Sequence, residues 1–251
     1  MTKVILHGCN GRMGRVITGL VEKDDSVEIV AGIDLNVDVV NKYTVYDNIN
    51  ECNEEADVII DFANVAAVDN LLEYARNRKI PVVLCTTGLS EEQVKKIDEV
   101  SKEVAILYSA NMSLGINTLF KILSSISSLL SNAGFDIEIV EKHHNQKLDA
   151  PSGTALALAD AINNQLNGEL EYIYDRSKVR QKRGKKELGI SAVRGGTIVG
   201  EHEIIFAGEE EVIEIKHTAY SRNVFAKGAV EAAKFIKGKT PKRYTMREVV
   251  E

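Results

Sequence analysis

The sequence predicts an α/β fold: a parallel sheet first, then a second α+β domain with an open mixed sheet. Three observations carry this. Over roughly the first hundred residues, short apolar runs alternate with amphipathic stretches, the pattern of successive βα units. A glycine-rich turn, Gly8-Cys9-Asn10-Gly11-Arg12-Met13-Gly14, separates the first run from the first helix. After about residue 112 the runs change character, and hydrophobic residues alternate with charged ones, as in strands with one wet face.

The elements follow in order. Val4-Ile5-Leu6 is a buried strand, and Val16, Ile17, Leu20 and Val21 recur at helical spacing behind it. Val27 to Ile33 reads as the second strand and closes on Asp34. Val58-Ile59-Ile60 and Val82-Val83-Leu84 are continuous apolar runs, expected where both faces are covered. Val104 to Leu107 fits a fifth strand; between these runs, helices fit Val65 to Asn77 and a Ser90-capped stretch to Lys102. Ser113 to Leu130 reads as one long amphipathic helix, and Pro151-Ser152 opens another through Leu166. Phe135 to Ile139, Glu203 to Phe206 and Glu211 to Lys216 alternate as half-exposed strands. A final helix, Asn223 to Lys237, has the composition to cover the first domain, though its docking site is not legible. The expected domains are 1–112 with 223–251, and 113–222.

Composition narrows the function. With 251 residues, 44% hydrophobic and 27% charged, the chain has enough apolar material to bury a full core, which excludes bulk disorder. Eighteen Gly against three Pro suit tight strand-to-helix turns. A balance of 31 basic against 37 acidic residues, net −6, predicts no nucleic-acid partner and no anionic membrane. No apolar run is expected to reach the roughly 18 residues of a membrane span. Met1-Thr2-Lys3-Val4 leads straight into a strand, so no secretory leader is expected. Cys9, Cys52 and Cys85 form no CxxC pair, which suits a reduced, cytoplasmic setting.

The glycine turn lies where a dinucleotide diphosphate would meet backbone N–H groups at a helix start, with no Cβ in the way. Asp34, ending the second strand, is placed for an adenosine ribose. A tight βα turn with a surface Asp is the plainer alternative. Leu35 stands where an arginine would hold a 2′-phosphate, so NADH is expected to serve at least as well as NADPH. Cys85-Thr86-Thr87-Gly88 and Ser109-Ala110-Asn111-Met112 follow later strands and are candidates for the nicotinamide half. Ordinary turn chemistry would also explain them.

The densest chemistry is Glu141 to Ala155, with His143 and His144 adjacent, Lys147 three residues on, and the helix start Ser152-Gly153-Thr154 after Pro151. Imidazole exchanges a proton near neutrality, lysine offers a point charge, and a helix N-terminus accepts anions. Together they suit a small carboxylate substrate that is protonated at carbon. A solvated strand end before a capped helix is the alternative. No HExxH or Cys partner marks a metal site, so none is expected. Arg176 to Lys186 carries seven basic residues and no acidic one, read first as a solvated loop and second as a lure for anionic ligands.

These residues resemble the 4-hydroxy-tetrahydrodipicolinate reductase (dihydrodipicolinate reductase) family nearly end to end. The resemblance runs from the glycine turn and Thr86-Thr87-Gly88 through His143-His144-Asn145-Gln146-Lys147-Leu148-Asp149-Ala150-Pro151-Ser152-Gly153-Thr154-Ala155. It continues in Val193-Arg194-Gly195-Gly196, Val199-Gly200-Glu201-His202 and Ser221-Arg222. The glycine turn is shared by many reductases, whereas the HHxxKxDAPSGTA string is specific. The resemblance implies a Rossmann domain completed by the C-terminal segment, and a substrate domain whose sheet builds a homotetramer. It implies that Gly8, Cys9, Asn10, Gly11, Arg12, Met13 and Asp34 bind the adenine-side half of NADH or NADPH. Cys85, Thr86, Thr87, Ser109, Ala110, Asn111 and Met112 would lie near the nicotinamide. His143 would be the proton donor/acceptor, His144 a substrate contact, Lys147 a second donor or carboxylate partner, and Gly153 and Thr154 a carboxylate cradle. Cys85 departs from a commoner Gly, and Met112 from a frequent aromatic. Another dicarboxylate or amino-acid dehydrogenase would share the first domain without needing the HHxxK loop. A non-catalytic dinucleotide-sensing regulator would want a basic DNA-binding element, which neither terminus supplies.

Overall fold

The structure is a computed structural model that describes residues 1–251 except Ala110. The chain runs β1 (Thr2–His7), α1 (Arg12–Val21), β2 (Val27–Ile33), β3 (Thr44–Tyr46), β4 (Val58–Asp61), α2 (Val68–Arg78), β5 (Val82–Leu84), α3 (Glu91–Val100) and β6 (Ile106–Tyr108). It continues through α4 (Leu114–Asn132), β7 (Asp136–His143), α5 (Gly153–Asn164), β8 (Glu171–Ile173), β9 (Glu187–Arg194), β10 (Gly200–Ala207) and β11 (Val212–Ala219). It ends with α6 (Asn223–Ile236), β12 (Arg243–Tyr244) and α7 (Met246–Val249). Two compact units result, one of Met1–Leu114 with Asn223–Glu251, the other of Gly115–Arg222. The first break falls two residues beyond the one the sequence suggests.

The first unit holds a parallel sheet in the order β12-β6-β5-β4-β1-β2-β3. From β1 the chain steps outward to β3 and then returns to β4 on β1's other side. That reversal opens a crevice beyond the carboxyl ends of β1 and β4, the usual ligand position in such sheets. Both faces are dry, as the unbroken apolar runs require. Val4, Leu6, Val58, Ile60 and Val83 pack on Ile17 of α1 and on Ala226, Ala229, Ala233 and Ile236 of α6. On the reverse face, Ile5, Ile59, Val82 and Leu84 pack on Leu71 and Leu72 of α2 and Ile97 and Val100 of α3. Each such Ile or Leu contributes about 1.5–3 kcal/mol on burial. Ser90 and Gln93 form a capping box at the start of α3, worth about 1 kcal/mol.

The final helix therefore belongs to the first unit. Gly228 lets it approach closely: a Cβ there would stand 1.7 Å from the Met112 carbonyl oxygen. The edge strands β3 and β12, three and two residues long, escape sequence reading because neither is long enough to show a period.

The second unit has a mixed sheet, β11-β10-β7-β9-β8. β7–β10 and β10–β11 are antiparallel, whereas β7–β9 and β8–β9 are parallel. β9 was not expected from the sequence. On the inner face, Ile137, Ile139, Leu188, Ile190, Ile204 and Phe206 pack under Leu119 and Leu123 of α4 and Leu158 and Ile162 of α5. At 19 residues, α4 is long and apolar enough by composition to cross a membrane, contrary to the expectation that no segment would be. Its buried residues Ile116, Leu119, Phe120 and Leu123 follow helical spacing, so within this unit it serves as a core helix.

The basic stretch is a mostly exposed loop, as the sequence suggests, but two of its arginines are paired. Arg183 pairs with Asp136 (2.6 Å) and Glu138 (2.9 Å), and Arg176 pairs with Glu138 and Glu187. Lys186 reaches Glu169. Arg176 and Arg183 fasten the loop to Asp136 and Glu138 of β7 and Glu187 of β9, while most of the loop stays exposed.

Candidate active site

The glycine turn is built by close packing. Gly8 ends β1 with φ +80°, and a Cβ there would lie 2.7 Å from the Phe62 carbonyl oxygen. At Gly14 a Cβ would lie 2.2 Å from the Gly8 oxygen and 2.4 Å from that of Cys9. Both positions therefore exclude any side chain. α1 starts at Gly11 without a side-chain cap, which leaves its first amides for an external acceptor. Asp34 is anchored, with Oδ2 accepting from the Asn10 amide (2.9 Å) and Oδ1 from that of Asn36 (3.0 Å). Each oxygen keeps a further lone pair for a hydroxyl donor. Gly8, Gly11, Asp34 and Leu35 line a cleft of about 610 Å³, a size and lining that fit the adenosine and diphosphate part of a dinucleotide.

The other residues expected around this cofactor divide into classes. Asn10 is buried and bonded to Asp34 and Asn41; Arg12 is exposed and Met13 packs partly against the core. Cys9, Cys85 and Met112 are buried in the core. Burial and the nearby Asp34 raise the Cys9 thiol to about 11, and burial raises Cys85 well above its ordinary value. Neither thiol is a nucleophile or metal ligand in this state, and burial leaves Cys9, Cys85 and Met112 chiefly backbone groups to offer. Thr87 is exposed, and the Ser109 hydroxyl donates to the Asn111 carbonyl (3.2 Å). Ala110 lies outside the described residues.

One cluster at this edge was missed. His7 and Asp61 end β1 and β4; His7 Nδ1 stands 2.7 Å from Asp61 Oδ1, with Asp61 fully buried. Thr86 donates its hydroxyl to Asp61 Oδ2 at 2.6 Å, and His7 lines the cleft. The signal was present: two apolar strands each end on an ionisable side chain at the ligand edge.

In the second unit, alternation along β7 continues past Ile137 and Ile139 to Glu141 and His143 on the same inner face. Register places Ala192 and His202 across from Glu141, and Arg194 across from His143. Glu141 is fully buried and fills both oxygens. Oε2 accepts from His143 Nδ1 (2.5 Å) and Arg194 Nη1 (2.8 Å); Oε1 accepts from Arg194 Nη2 (2.7 Å) and the Ser152 amide (3.0 Å). The His143 ring meets the His202 ring edge-on at 5.2 Å. Its Nε2 faces Gly200, where a Cβ would come within 3.2 Å. Ser152 caps α5 by accepting from Ala155 N, and its hydroxyl lies 3.2 Å from His202 Nε2. The helix therefore starts at Gly153, with Pro151 ahead of the cap after a cis peptide bond. Lys147 Nζ holds Asp149 Oδ1 at 2.9 Å, and Asp149 Oδ2 accepts from Gly153 N at 3.4 Å. His144 is half-buried beside this loop, and Thr154 sits in the first turn of α5.

The electrostatics follow from this packing. Burial lowers His143, with Lys147 and Arg194 adding to it and Glu141 opposing. Burial would raise Glu141, but Arg194, His143 and the Ser152 amide outweigh it and hold the carboxyl below its ordinary range. Burial, then His143, brings His202 down to about 4, so that imidazole stays neutral. Chemically, the site offers an oriented imidazole, an ammonium and a helix start able to take a carboxylate. Among the described residues no group of three His, Cys, Asp or Glu is placed to hold a metal ion.

A parallel sheet with a glycine-rich turn at its reversal point, and a second unit that gathers an imidazole, an ammonium and a helix start, are the features of a nicotinamide-dependent oxidoreductase. Comparison gives the family. Residues 2–112 match the profile described as dihydrodipicolinate reductase, N-terminus, and residues 115–250 the corresponding C-terminus. The chain is 53% identical over 251 residues to the 4-hydroxy-tetrahydrodipicolinate reductase of Caldanaerobacter subterraneus, covering all of this chain and 99% of that one. It is 52% identical, with the same coverage, to that of Clostridium novyi. Among solved structures, the dipicolinate-bound dihydrodipicolinate reductase of Paenisporosarcina sp. TG-14 superposes with TM-score 0.78 at 22% identity, covering 98% and 97% of the two chains. A myo-inositol 2-dehydrogenase from Lactobacillus plantarum shares the fold more distantly, with TM-score 0.61 at 14% identity over 99% and 93%. The chain belongs to the dihydrodipicolinate reductase family, and is an oxidoreductase of lysine and diaminopimelate biosynthesis.

Proposed function

We propose that the chain reduces 4-hydroxy-2,3,4,5-tetrahydrodipicolinate to 2,3,4,5-tetrahydrodipicolinate, using NADH at least as well as NADPH. A hydride and a proton enter the ring and water leaves it. The nicotinamide, when bound, supplies the hydride. Gly8, Gly11 and the open start of α1 cradle the diphosphate, and Asp34 takes the ribose hydroxyls. With Leu35 exposed beside Asp34 and no arginine at that position, nothing there rewards a 2′-phosphate. Lys147 and the amides of Gly153 and Thr154 hold a substrate carboxylate, His144 borders it, and His143 gives its proton to the carbon next to the reduced one.

One observation carries the substrate assignment. A carboxylate, that of Asp149, already rests between the Lys147 ammonium and the Gly153 amide, in the seat a substrate carboxylate needs. The outer sheet face bears exposed Val193 and Val212 and supports a homotetramer, measurable by light scattering. The test of function is an assay coupled to the synthase that makes the substrate, following loss of reduced cofactor. The expected result is turnover with a kcat/KM for NADH equal to or above that for NADPH. A strong NADPH preference defeats the cofactor assignment; no turnover with either defeats the reaction.

A further inference from the structure

Glu141 reaches three separate parts of the second unit through four hydrogen bonds, and the proposed reaction leaves it without a role. Its oxygens hold the ring of His143 on its own strand, the guanidinium of Arg194 on β9, and the first amide of the segment entering α5. Arg194 extends the connection, since its Nη2 also donates to the Asp149 carbonyl at 2.6 Å, next to the side chain that occupies the carboxylate seat. We propose that Glu141, clamped by Arg194, is a positioning residue that ties the proton donor to the substrate-carboxylate cradle. This rests on the reading of His143 as that donor.

Several features support the assignment over simple structural support. A buried Arg–carboxylate pair is a weak source of stability, because desolvation offsets much of the attraction. Here one of the four donors is the imidazole itself. The bond to Nδ1 fixes that nitrogen as the N–H of the neutral ring, and leaves Nε2 as the exchanging atom over Gly200, the arrangement by which a carboxylate orients a proton-transferring histidine. The second oxygen sets where α5 begins, and so where the Gly153 and Thr154 amides point. Turning the carboxylate would therefore move the donor and the cradle together.

The clamp also sets the charge of the ring. The charged or titratable groups around His143 are Glu141 on its own strand, Arg194 on β9, Lys147 on the loop and His202 on β10, with His217 across from His202 on β11. Glu141 favours the protonated ring, whereas Arg194 and Lys147 disfavour it. Removing Glu141 and removing Arg194 should therefore shift His143 in opposite directions.

The experiment is an NMR titration of the His143 ring in the full chain without ligand, its signal assigned by loss in His143→Gln. In Glu141→Gln the midpoint is expected to fall, and in Arg194→Gln to rise, with Glu141→Gln/Arg194→Gln between them. The double variant leaves no unpaired buried charge, so it reports even if a single variant misfolds. The limb of kcat/KM that declines with rising pH should move with each midpoint. Affinity for pyridine-2,6-dicarboxylate should weaken several-fold in Glu141→Gln, while NADH affinity stays at the wild-type value. A midpoint unmoved in a folded Glu141→Gln chain, or both single variants shifting the same way, overturns the proposal. If Glu141→Gln does not fold, an Arg194→Gln midpoint that fails to rise does so. Retained turnover in His143→Gln would instead defeat the donor assignment, which the ligand-free titration reads separately.

Discussion

The two candidate sites are made of different materials. The first-unit cleft offers a ligand mostly main chain, with glycines that exclude side chains and amides at the start of α1, plus one anchored side-chain carboxylate. The second-unit site offers ionisable side chains, His143 and Lys147, held by other ionisable side chains, Glu141, Arg194 and Asp149. A backbone site tolerates exchange of neighbouring side chains but not the addition of one carbon atom. A side-chain site tolerates backbone adjustment but not the loss of one charge.

Substitutions can break that contrast, and the largest effect is expected in the second unit. His143→Gln and Lys147→Ala should each lower kcat by about 10²–10⁴-fold, with NADH affinity unchanged by fluorescence titration; wild-type-like turnover in either removes that residue from the chemistry. Next comes Gly14→Ala, whose Cβ would stand 2.2 Å from the Gly8 oxygen. It should weaken dinucleotide binding more than about tenfold, since small displacements of a positioned site are costly, and lower the melting temperature, while pyridine-2,6-dicarboxylate binding is retained. A dinucleotide Kd unaffected by this methyl would mean the turn is not the cradle.

Asp149→Asn sharpens the contrast on a smaller scale. Losing the carboxylate that occupies Lys147 should tighten pyridine-2,6-dicarboxylate a few-fold by calorimetry, and weaker binding would mean Asp149 positions Lys147 instead of competing for it. The smallest effect is expected at Lys234, which holds Asp24 at 2.7 Å and, ahead of Ser26, lowers Asp24 from 3.8 to about 2. A folded-state value below the unfolded one stabilises above about pH 4, and the benefit fades as pH falls toward 2. Lys234→Met should therefore cost less than about 1 kcal/mol near neutrality, and its denaturation midpoint should converge on that of the parent chain in acid.

The same contrast decides what could be read from sequence. The strand, turn and helix around Gly8 were legible because apolar runs and glycine spacing are local. The His143–Lys147–Ser152 segment was legible because its ionisable residues and the helix start fall within ten positions. Arg194 and His202 stood in strings that supported the family resemblance, yet carried no assigned role, because their relation to His143 exists only in strand register. Glu141 was hidden differently. In Asp136-Ile137-Glu138-Ile139-Val140-Glu141 the outward glutamate is Glu138, yet Glu141 points inward, and only the end of the apolar row marks the change. β9 was missed since Gly189 interrupts its pattern; its Cβ would stand 1.7 Å from Glu138 Oε2, so the glycine belongs to the packing of β7 against β9.

Residues 223–251 build α6, β12 and α7 onto a unit whose other strands precede the whole of the second unit in the chain. On the ribosome, the nucleotide half therefore waits with the α6-covered part of one sheet face open while the whole of the second unit is synthesised. A nonsense codon shortly after position 222 would spare every histidine in the chain and still strip from Val4, Leu6 and Val83 the apolar cover of Ala226, Ala229, Ala233 and Ile236.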